Sequence, residues 1–105
     1  MVMRLDWAVS FNKEYENIFA CSKDYYGVNR LIELNRKLKQ TEHLLLTNPY
    51  LGKKEITLAN HELAYRSILL SKPFKLIYTI SEDCIYLVDI WDTRREPTKL
   101  EERLK

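Results

Sequence analysis

The run Phe74-Lys75-Leu76-Ile77-Tyr78-Thr79-Ile80 decides the fold of this chain, together with the run that follows it, Cys84-Ile85-Tyr86-Leu87-Val88-Asp89-Ile90-Trp91. Both runs are rich in β-branched and aromatic residues, a composition that is typical of strands. Only Ser81-Glu82-Asp83 separates them, and three residues are enough for a hairpin loop. The two runs therefore predict neighbouring antiparallel strands.

Two further strands are predicted on the N-terminal side of this hairpin. The run Tyr65-Arg66-Ser67-Ile68-Leu69-Leu70 precedes the short segment Ser71-Lys72-Pro73, so it should extend the hairpin to a three-stranded antiparallel meander. Near the N-terminus, apolar residues alternate with other residues, a pattern that predicts a half-buried first strand. The apolar members of that pattern are Leu5, Trp7, Val9 and Phe11.

A first helix is predicted between the first strand and Gly27. Ser10 or Asn12 can cap its N-terminus by accepting a hydrogen bond from a free backbone N–H. Gly27 is a natural helix stop. Apolar and aromatic residues recur at helical spacing between these points, at Phe11, Tyr15, Ile18, Phe19 and Tyr26.

A second helix should run from about residue 28 to residue 46. The motif Asn48-Pro49-Tyr50-Leu51-Gly52 has the composition of a turn, and its Pro removes a backbone donor, so the helix ends there. The break between the two helices is short, which favours an αα-hairpin. The buried stripe of the second helix is predicted at Val28, Leu31, Ile32, Leu38 and Leu45.

The element order βααβββ predicts an α+β fold, in which an antiparallel sheet carries an α-helical hairpin on one face. Residues 97–104 have the pattern of a short final helix with Pro near its start. With 105 residues the chain is expected to form a single domain over residues 1–105.

Composition narrows the possible classes of function. The chain has 17 basic and 15 acidic residues and a net charge of +2, which is too balanced for a dedicated nucleic-acid binder. Cys21 and Cys84 form no metal-binding pattern, so we expect two buried thiols in a reducing compartment and neither metal nor cofactor. No apolar run approaches the ~20 residues of a membrane span, and the charged N-terminus does not resemble a signal peptide. A cytoplasmic protein is expected.

The motifs along the chain, in their order, resemble the RelE/ParE superfamily of bacterial type II toxins, and most closely its plasmid-stabilisation members. The resemblance spans nearly the whole chain. Asn48-Pro49-Tyr50-Leu51-Gly52 combined with the ending Asp92-Thr93-Arg94-Arg95-Glu96-Pro97 is its strongest part. The other segments that carry it are Tyr25-Tyr26-Gly27, Tyr65-Arg66, Phe74-Lys75-Leu76-Ile77-Tyr78 and Ile90-Trp91.

The resemblance implies a small growth-inhibiting toxin that a cognate antitoxin holds inactive. Members of the superfamily act in two ways. Some enter the ribosome and cleave messenger RNA without a metal, and others bind DNA gyrase and stop replication. Two alternatives to the nuclease remain open, namely a non-enzymatic inhibitor of gyrase or another protein, and a decayed toxin that keeps only antitoxin binding.

For the nuclease mode, the resemblance implies catalytic roles for Arg66, Lys75 and Arg95, which match basic positions on the sheet of ribosome-dependent members. Cationic groups at these positions would stabilise the pentacovalent phosphorane. His61, Asp92 and Arg94 are the candidate substrate-binding residues. The sequence departs from that branch elsewhere, because Ile68 stands where a Lys is expected and no C-terminal Tyr is present.

Each candidate also has a structural interpretation. His61 can be an ordinary loop residue, and Lys75 can be an edge or surface charge. Arg66 alternates with apolar neighbours, as a solvent-facing residue of a half-buried strand does. Asp92 lies two residues from Arg94, so the two can form a local ion pair at the end of the strand. The same carboxylate can alternatively orient an arginine pair for phosphate binding.

Overall fold

A computed structural model describes residues 3–21, 27–55 and 64–94, with the side chain of residue 21 excepted. Strand β1 (Arg4–Trp7) is followed by helices α1 (Val9–Cys21) and α2 (Val28–Thr47). Four strands complete the described part of the chain: β2 (Lys53–Lys54), β3 (Tyr65–Leu69), β4 (Phe74–Ser81) and β5 (Cys84–Asp92). The predicted final helix over residues 97–104 lies outside the described residues.

The strands form one mixed sheet in the order β1-β5-β4-β3-β2. Strands β3, β4 and β5 make the predicted antiparallel meander, and β2 adds antiparallel to β3. Strand β1 lies at the other side of the sheet and pairs with β5 in parallel, from Arg4 opposite Cys84 to Trp7 opposite Leu87. The predicted α+β class is therefore confirmed, with one parallel pair in a sheet that was expected to be antiparallel.

The first strand is shorter than its sequence pattern suggested. It ends at Trp7, and α1 begins at Val9, so Val9 and Phe11 belong to the helix. Neither predicted capping residue caps it. The Ser10 hydroxyl donates to the backbone carbonyl of Val88 in β5 at 2.7 Å, and the Asn12 N–H joins the helical ladder. The start of α1 is thus fixed against the sheet rather than by a local cap.

The main core lies between the helices and one face of the sheet. Helix α1 contributes Phe11 and Ile18, and the central strand β4 contributes Phe74, Leu76 and Tyr78, which alternate as strand residues on one face do. The remaining buried members are Ala8, Leu31, Leu34, Leu38, Leu45, Leu70, Ile85, Leu87 and Ile90. We call this side of the sheet the helix face.

The buried stripe of α2 is only partly the predicted one. Leu31, Leu38 and Leu45 are buried as expected, and Leu34 between them is fully buried. The prediction that Val28 and Ile32 are buried is wrong, because they are 54% and 62% exposed. Successive residues of an α-helix are rotated by about 100° around its axis. Residues 31, 34, 38 and 45 therefore lie on one side of α2, and Ile32 lies nearly on the opposite side.

A second buried cluster occupies the other face of the sheet, which we call the far face. It consists of Tyr65, Ile77, Val88 and Trp91. A register shift in the pairing of β4 with β5, between Ile77 and Tyr78, leaves Val88 as an extra residue on β5. Trp91 is 2% exposed and is therefore a core aromatic residue.

Cys84 is a buried free thiol, as predicted. Its sulfur lies 3.5 Å from the Asp6 carboxylate in β1. Burial, followed by the hydrogen bond and negative charge of Asp6, raises the pKa of this thiol above its ordinary value. None of the helices in the described part of the chain has both the length and the apolar character needed to cross a bilayer.

The revised stripe of α2 leads to a direct test. Replacing fully buried Leu34 with Ala should lower the free energy of unfolding by about 2–5 kcal/mol, because it removes apolar contacts and leaves a cavity. The matched substitution Ile32→Ala should change it by less than about 0.5 kcal/mol. Urea denaturation followed by circular dichroism measures both values. Equal losses for the two variants would contradict the placement of α2.

Candidate functional site

The structure describes four of the six predicted site residues. Arg66 lies in β3, Lys75 in β4, Asp92 at the end of β5, and Arg94 in the turn that follows. His61 and Arg95 lie outside the described residues, so their roles remain predictions.

Arg66 and Lys75 lie on opposite faces of the sheet. Arg66 is directly opposite Tyr78, a member of the helix-face core. Lys75 is two residues from Ile77, a member of the far-face cluster, and residues two apart in a strand share a face. The structure therefore does not bring these two predicted catalytic cations together.

Arg66 is held by the turn between α2 and β2. Its guanidinium donates a hydrogen bond to the backbone carbonyl of Gly52 at 2.7 Å. The guanidinium carbon also lies 4.9 Å from the centre of the Tyr50 ring, within the range of a cation–π contact. Arg66 thus connects β3 to the motif Asn48-Pro49-Tyr50-Leu51-Gly52.

Tyr78 holds the same turn from the helix face. Its hydroxyl donates to the Pro49 carbonyl and accepts from the Gly52 N–H, each at 2.8 Å. Burial raises the pKa of Tyr78, while the Gly52 hydrogen bond and the Arg66 charge oppose that shift. The hydroxyl therefore stays protonated at neutral pH and remains a donor to Pro49.

Lys75 is engaged by a carboxylate on the far face. Its Nζ lies 2.8 Å from Oε2 of Glu55, the residue after β2. The side chains are 21% and 7% exposed, so the pair is largely removed from water. A lysine neutralised in this way contributes little net charge to an approaching phosphate.

Asp92 and Arg94 form the local ion pair that their spacing allows. The guanidinium makes two bonds to the carboxylate, at 3.0 Å and 2.6 Å, and the Arg94 N–H donates to the same group at 2.9 Å. Asp92 is 12% exposed at its side chain and Arg94 is 52% exposed. The pair fixes the end of β5 and leaves part of the guanidinium accessible to solvent.

Three cations without an ion pair to a carboxylate in the described residues are neighbours at one border of the sheet. In the described ranges no ion pair joins Lys53, Lys54 or Arg66 to an acidic side chain. Lys53 lies opposite Ser67 and Lys54 opposite Arg66, so the three are neighbours. We call these residues, together with Tyr50, the basic edge.

Two features of this region are not visible in the sequence, namely the polar role of Tyr78 and the strand at Lys53 and Lys54. Tyr78 was assigned only to a strand, and its polar role requires the turn to pass directly over its hydroxyl. Lys53 and Lys54 carry no strand signal, because a two-residue strand has no detectable periodicity. Among the residues that the structure describes, no group of three or more His, Cys, Asp or Glu side chains is arranged to hold a metal ion.

No protein-family model and no curated protein matches the chain. Solved structures do match. A chain of the chromosomal ParDE TA system from P. aeruginosa has a TM-score of 0.63 at 15% identity, over 84% of this chain and 92% of that chain. The E. coli DinJ-YafQ toxin-antitoxin complex contains a chain with a TM-score of 0.63 at 15% identity, over 90% and 96%.

A further crystal structure of the E. coli DinJ-YafQ complex gives a TM-score of 0.60 at 18% identity, over 88% of this chain and 94% of that chain. Similarities of this size over nearly complete chains establish the backbone arrangement. The chain therefore has the RelE/ParE-like fold that its motifs suggested.

The close approach of the turn to Tyr78 makes Gly52 hard to replace. A Cβ at this position would lie 2.7 Å from the Tyr78 hydroxyl and 2.8 Å from the Ser67 carbonyl. We expect Gly52→Ala to cost about 1–3 kcal/mol of stability by overpacking. In a Tyr78→Phe background the cost should be smaller, since one of the three close contacts is gone, whereas the ring Cε1 at 2.8 Å and the Ser67 carbonyl remain. A double-mutant cycle from urea denaturation tests this, and additive costs would contradict it.

The Lys75–Glu55 pair should be structural. Lys75→Met should lower the free energy of unfolding by about 1–3 kcal/mol, because the buried Glu55 carboxylate loses the cation that lies 2.8 Å from it. The double variant Lys75→Met with Glu55→Gln should recover most of the loss. The control Arg36→Met removes an exposed pair with Glu33 and should change stability little. Thermal or urea denaturation measures all three, and full stability of Lys75→Met alone would argue against the pair.

Proposed function

We propose that this chain is the growth-inhibiting toxin of a type II toxin–antitoxin module and that a cognate antitoxin neutralises it. The observation that carries the proposal is the match of 84–90% of the chain to chains from the ParDE and DinJ-YafQ systems. The sequence motifs on either side of the meander, at residues 48–52 and 92–97, are independent support, because they were identified without the backbone comparison. The proposed site of action is the cytoplasm.

We infer that the toxin acts by binding a macromolecular target rather than by cutting RNA. Transphosphorylation needs several cationic groups that converge on one phosphate. In the described residues, Lys75 is paired with Glu55 on the far face, and Arg66 holds Gly52 at the opposite side of the sheet. This arrangement supports a non-enzymatic inhibitor, for which DNA gyrase is the candidate target implied by the superfamily.

Ribosome-dependent cleavage of messenger RNA is the second candidate. One observation favours it: Arg94 is half exposed at the end of β5, and a second arginine, Arg95, follows it in the sequence. In this mode Arg66, Lys75 and Arg95 would act as cations at the phosphate, and His61 and Asp92 would assist substrate binding. Lys75 would first have to leave Glu55.

The gyrase-inhibitor and messenger-RNA-cleavage modes differ in whether replication or translation stops first in a cell. The chain should be induced in a bacterium without antitoxin, and incorporation of labelled thymidine and methionine should be followed in parallel. We expect growth arrest with an early fall in thymidine, because a gyrase-type inhibitor blocks replication before translation. The control Leu34→Asp buries a charge in the core and should abolish arrest.

An early fall in methionine incorporation, with new cleavage sites in messenger RNA that disappear in Arg95→Ala, would instead favour the nuclease. Continued growth while folded protein accumulates would contradict the toxin proposal itself. Rescue by co-expression of the neighbouring small open reading frame would support the antitoxin partner.

A further inference from the structure

Strand β1 forms the border of the sheet that lies opposite the basic edge, and it pairs with β5 on one side only. The Arg4 N–H donates to the Asp83 carbonyl at 2.9 Å, so the backbone of Arg4 points toward β5. Backbone direction alternates along a strand, and the N–H and C=O groups of Leu5 and Trp7 therefore point outward. We call this outer side of β1, together with the preceding Met3, the β1 border.

The β1 border is open to solvent and partly apolar. Trp7 is 43% exposed, although its indole N–H donates to Glu42 of α2 at 2.8 Å. Val9, two residues later, is 72% exposed, and Tyr86, opposite Asp6, is 40% exposed. Helix α2 thus reaches β1 without covering its side chains. A partner that binds the outward backbone groups would also meet apolar surface.

The charges of β1 lie on one face of the sheet and its apolar side chains on the other. Leu5 is opposite Ile85, a member of the main core, so Leu5 and Trp7 share the helix face. Arg4 and Asp6 lie on the far face. Their side chains are 3.8 Å apart and are 65% and 50% exposed. An ion pair that is long and exposed is worth little, so little is lost if Asp6 meets another arginine.

The two charges favour one register for pairing β1 with itself. If two copies pair in antiparallel fashion about a two-fold axis at Leu5, each Arg4 lies opposite Asp6 of the other copy. Two pairs of unlike charge then form on the far face, and cross-strand pairs of this kind stabilise a sheet. An axis at Arg4 or at Asp6 would instead place like charges opposite each other, which is destabilising.

The same register satisfies the outward backbone groups. Leu5 then lies opposite Leu5 of the second copy, and Met3 lies opposite Trp7. By the alternation along the strand all three residues point their N–H and C=O groups outward, so they form hydrogen-bonded pairs across the axis. On the helix face, the exposed part of the Trp7 side chain packs against Met3 of the second copy. Backbone, charge and apolar surface are therefore matched in one arrangement.

Charge also decides between the candidate occupants. At the basic edge a second copy would place Lys53 and Lys54 against lysine, and edge lysines are a known means of preventing self-pairing. The β1 border differs, because it carries one basic and one acidic residue whose positions exchange under a two-fold axis. A nucleic acid, or a strand with charges of one sign, would satisfy one of these residues and repel the other. A second copy of the chain satisfies both.

We propose that two copies of this chain associate through β1, with Arg4 of each copy paired with Asp6 of the other, so that the two sheets become continuous. The interface is isologous, since the same residues contribute from both copies. It is built on one short strand, so the association is expected to be weak and to depend on concentration. Neither an antitoxin nor toxicity is needed for this dimer, which is therefore independent of the proposed function.

Sedimentation equilibrium of the full-length protein tests the association. Concentrations should run from about 1 μM to about 500 μM, because interfaces of this size bind weakly. We expect a monomer–dimer equilibrium that weakens at high salt, since exposed ion pairs are screened. A protein that stays monomeric over this whole range at low salt would overturn the dimer.

Charge reversal localises the interface. Arg4→Asp and Asp6→Arg each place like charges opposite each other in both pairs, so each variant should self-associate about tenfold more weakly or worse. The control Lys13→Asp makes the same change in net charge as Arg4→Asp, at an exposed position of α1, and should stay within about twofold of the wild type. Equal effects of Lys13→Asp and Arg4→Asp would mean that only net charge matters, and the proposed interface would be wrong.

Mixing the two reversed variants restores every unlike pair. Arg4→Asp and Asp6→Arg together should form a heterodimer whose dissociation constant is within about threefold of the wild-type value. Recovery on mixing also shows that both variants are folded, because an unfolded chain cannot regain a specific partner. Two variants with wild-type circular dichroism that fail to associate with each other would contradict the Arg4–Asp6 pairing.

Amide exchange in the wild type tests strand pairing without any substitution, and it decides if a reversed variant is unfolded. The outward N–H of Leu5 should exchange more slowly at a concentration where the dimer predominates than at one where the monomer does. The N–H of Asp6 points to β5 and should be protected at both concentrations. A Leu5 exchange rate that ignores concentration while the protein dimerises would place the dimer on another surface.

These results are distinguishable from the outcome of the growth assay. A chain that arrests growth and remains monomeric would keep the proposed function and lose the β1 interface. A chain that dimerises through Arg4 and Asp6 without arresting growth would do the reverse.

Discussion

The hydroxyl of Tyr78 is the point on which the arrangement of this chain depends. It comes from the central strand of the sheet and holds both the Pro49 carbonyl and the Gly52 N–H at 2.8 Å. These two bonds fix the exit from α2 and set the position at which β2 begins. Because the hydroxyl is buried, loss of either partner would leave a polar group without compensation, and such a group is costly.

Arg66 completes this connection from the neighbouring strand. By binding the Gly52 carbonyl it uses one donor for structure, yet it meets no acidic side chain in the described residues. Its positive charge therefore remains effective at the surface, beside Tyr50 and Lys54. The Arg66–Gly52 hydrogen bond therefore has two effects. It stabilises the turn, and it places a positive charge at the basic edge.

The sequence predicted those strands that are apolar runs bounded by short turn segments. Strands β3, β4 and β5 were placed within one or two residues, because each is a run rich in β-branched and aromatic residues that stops at a short polar or Pro-containing segment. The stripe of α2 was misassigned at Val28 and Ile32, since a helix rich in apolar residues does not reveal which side meets the sheet. The end of β1 was misplaced because Val9 and Phe11 fit both a strand and a helix period.

The candidate site was less predictable, because its character depends on pairs that are distant in the sequence. Lys75 and Glu55 are 20 residues apart, and Arg66 and Gly52 are 14 apart, so no local motif announces either contact. A resemblance can indicate which positions are basic, but only the register shows which of those charges are neutralised. Arg66 and Lys75 were grouped from the resemblance, and the alternation of two adjacent strands separates them onto opposite faces.

The distribution of charge gives the strongest physical reason to regard this chain as a recognition module. Several cations of the described residues are paired with a carboxylate, as in Arg36 with Glu33, Lys75 with Glu55 and Arg94 with Asp92, whereas Lys53, Lys54 and Arg66 are neighbours without such a pair. Because the net charge of the chain is only +2, the three unpaired cations at this border create a positive electrostatic potential there and not over the whole protein surface.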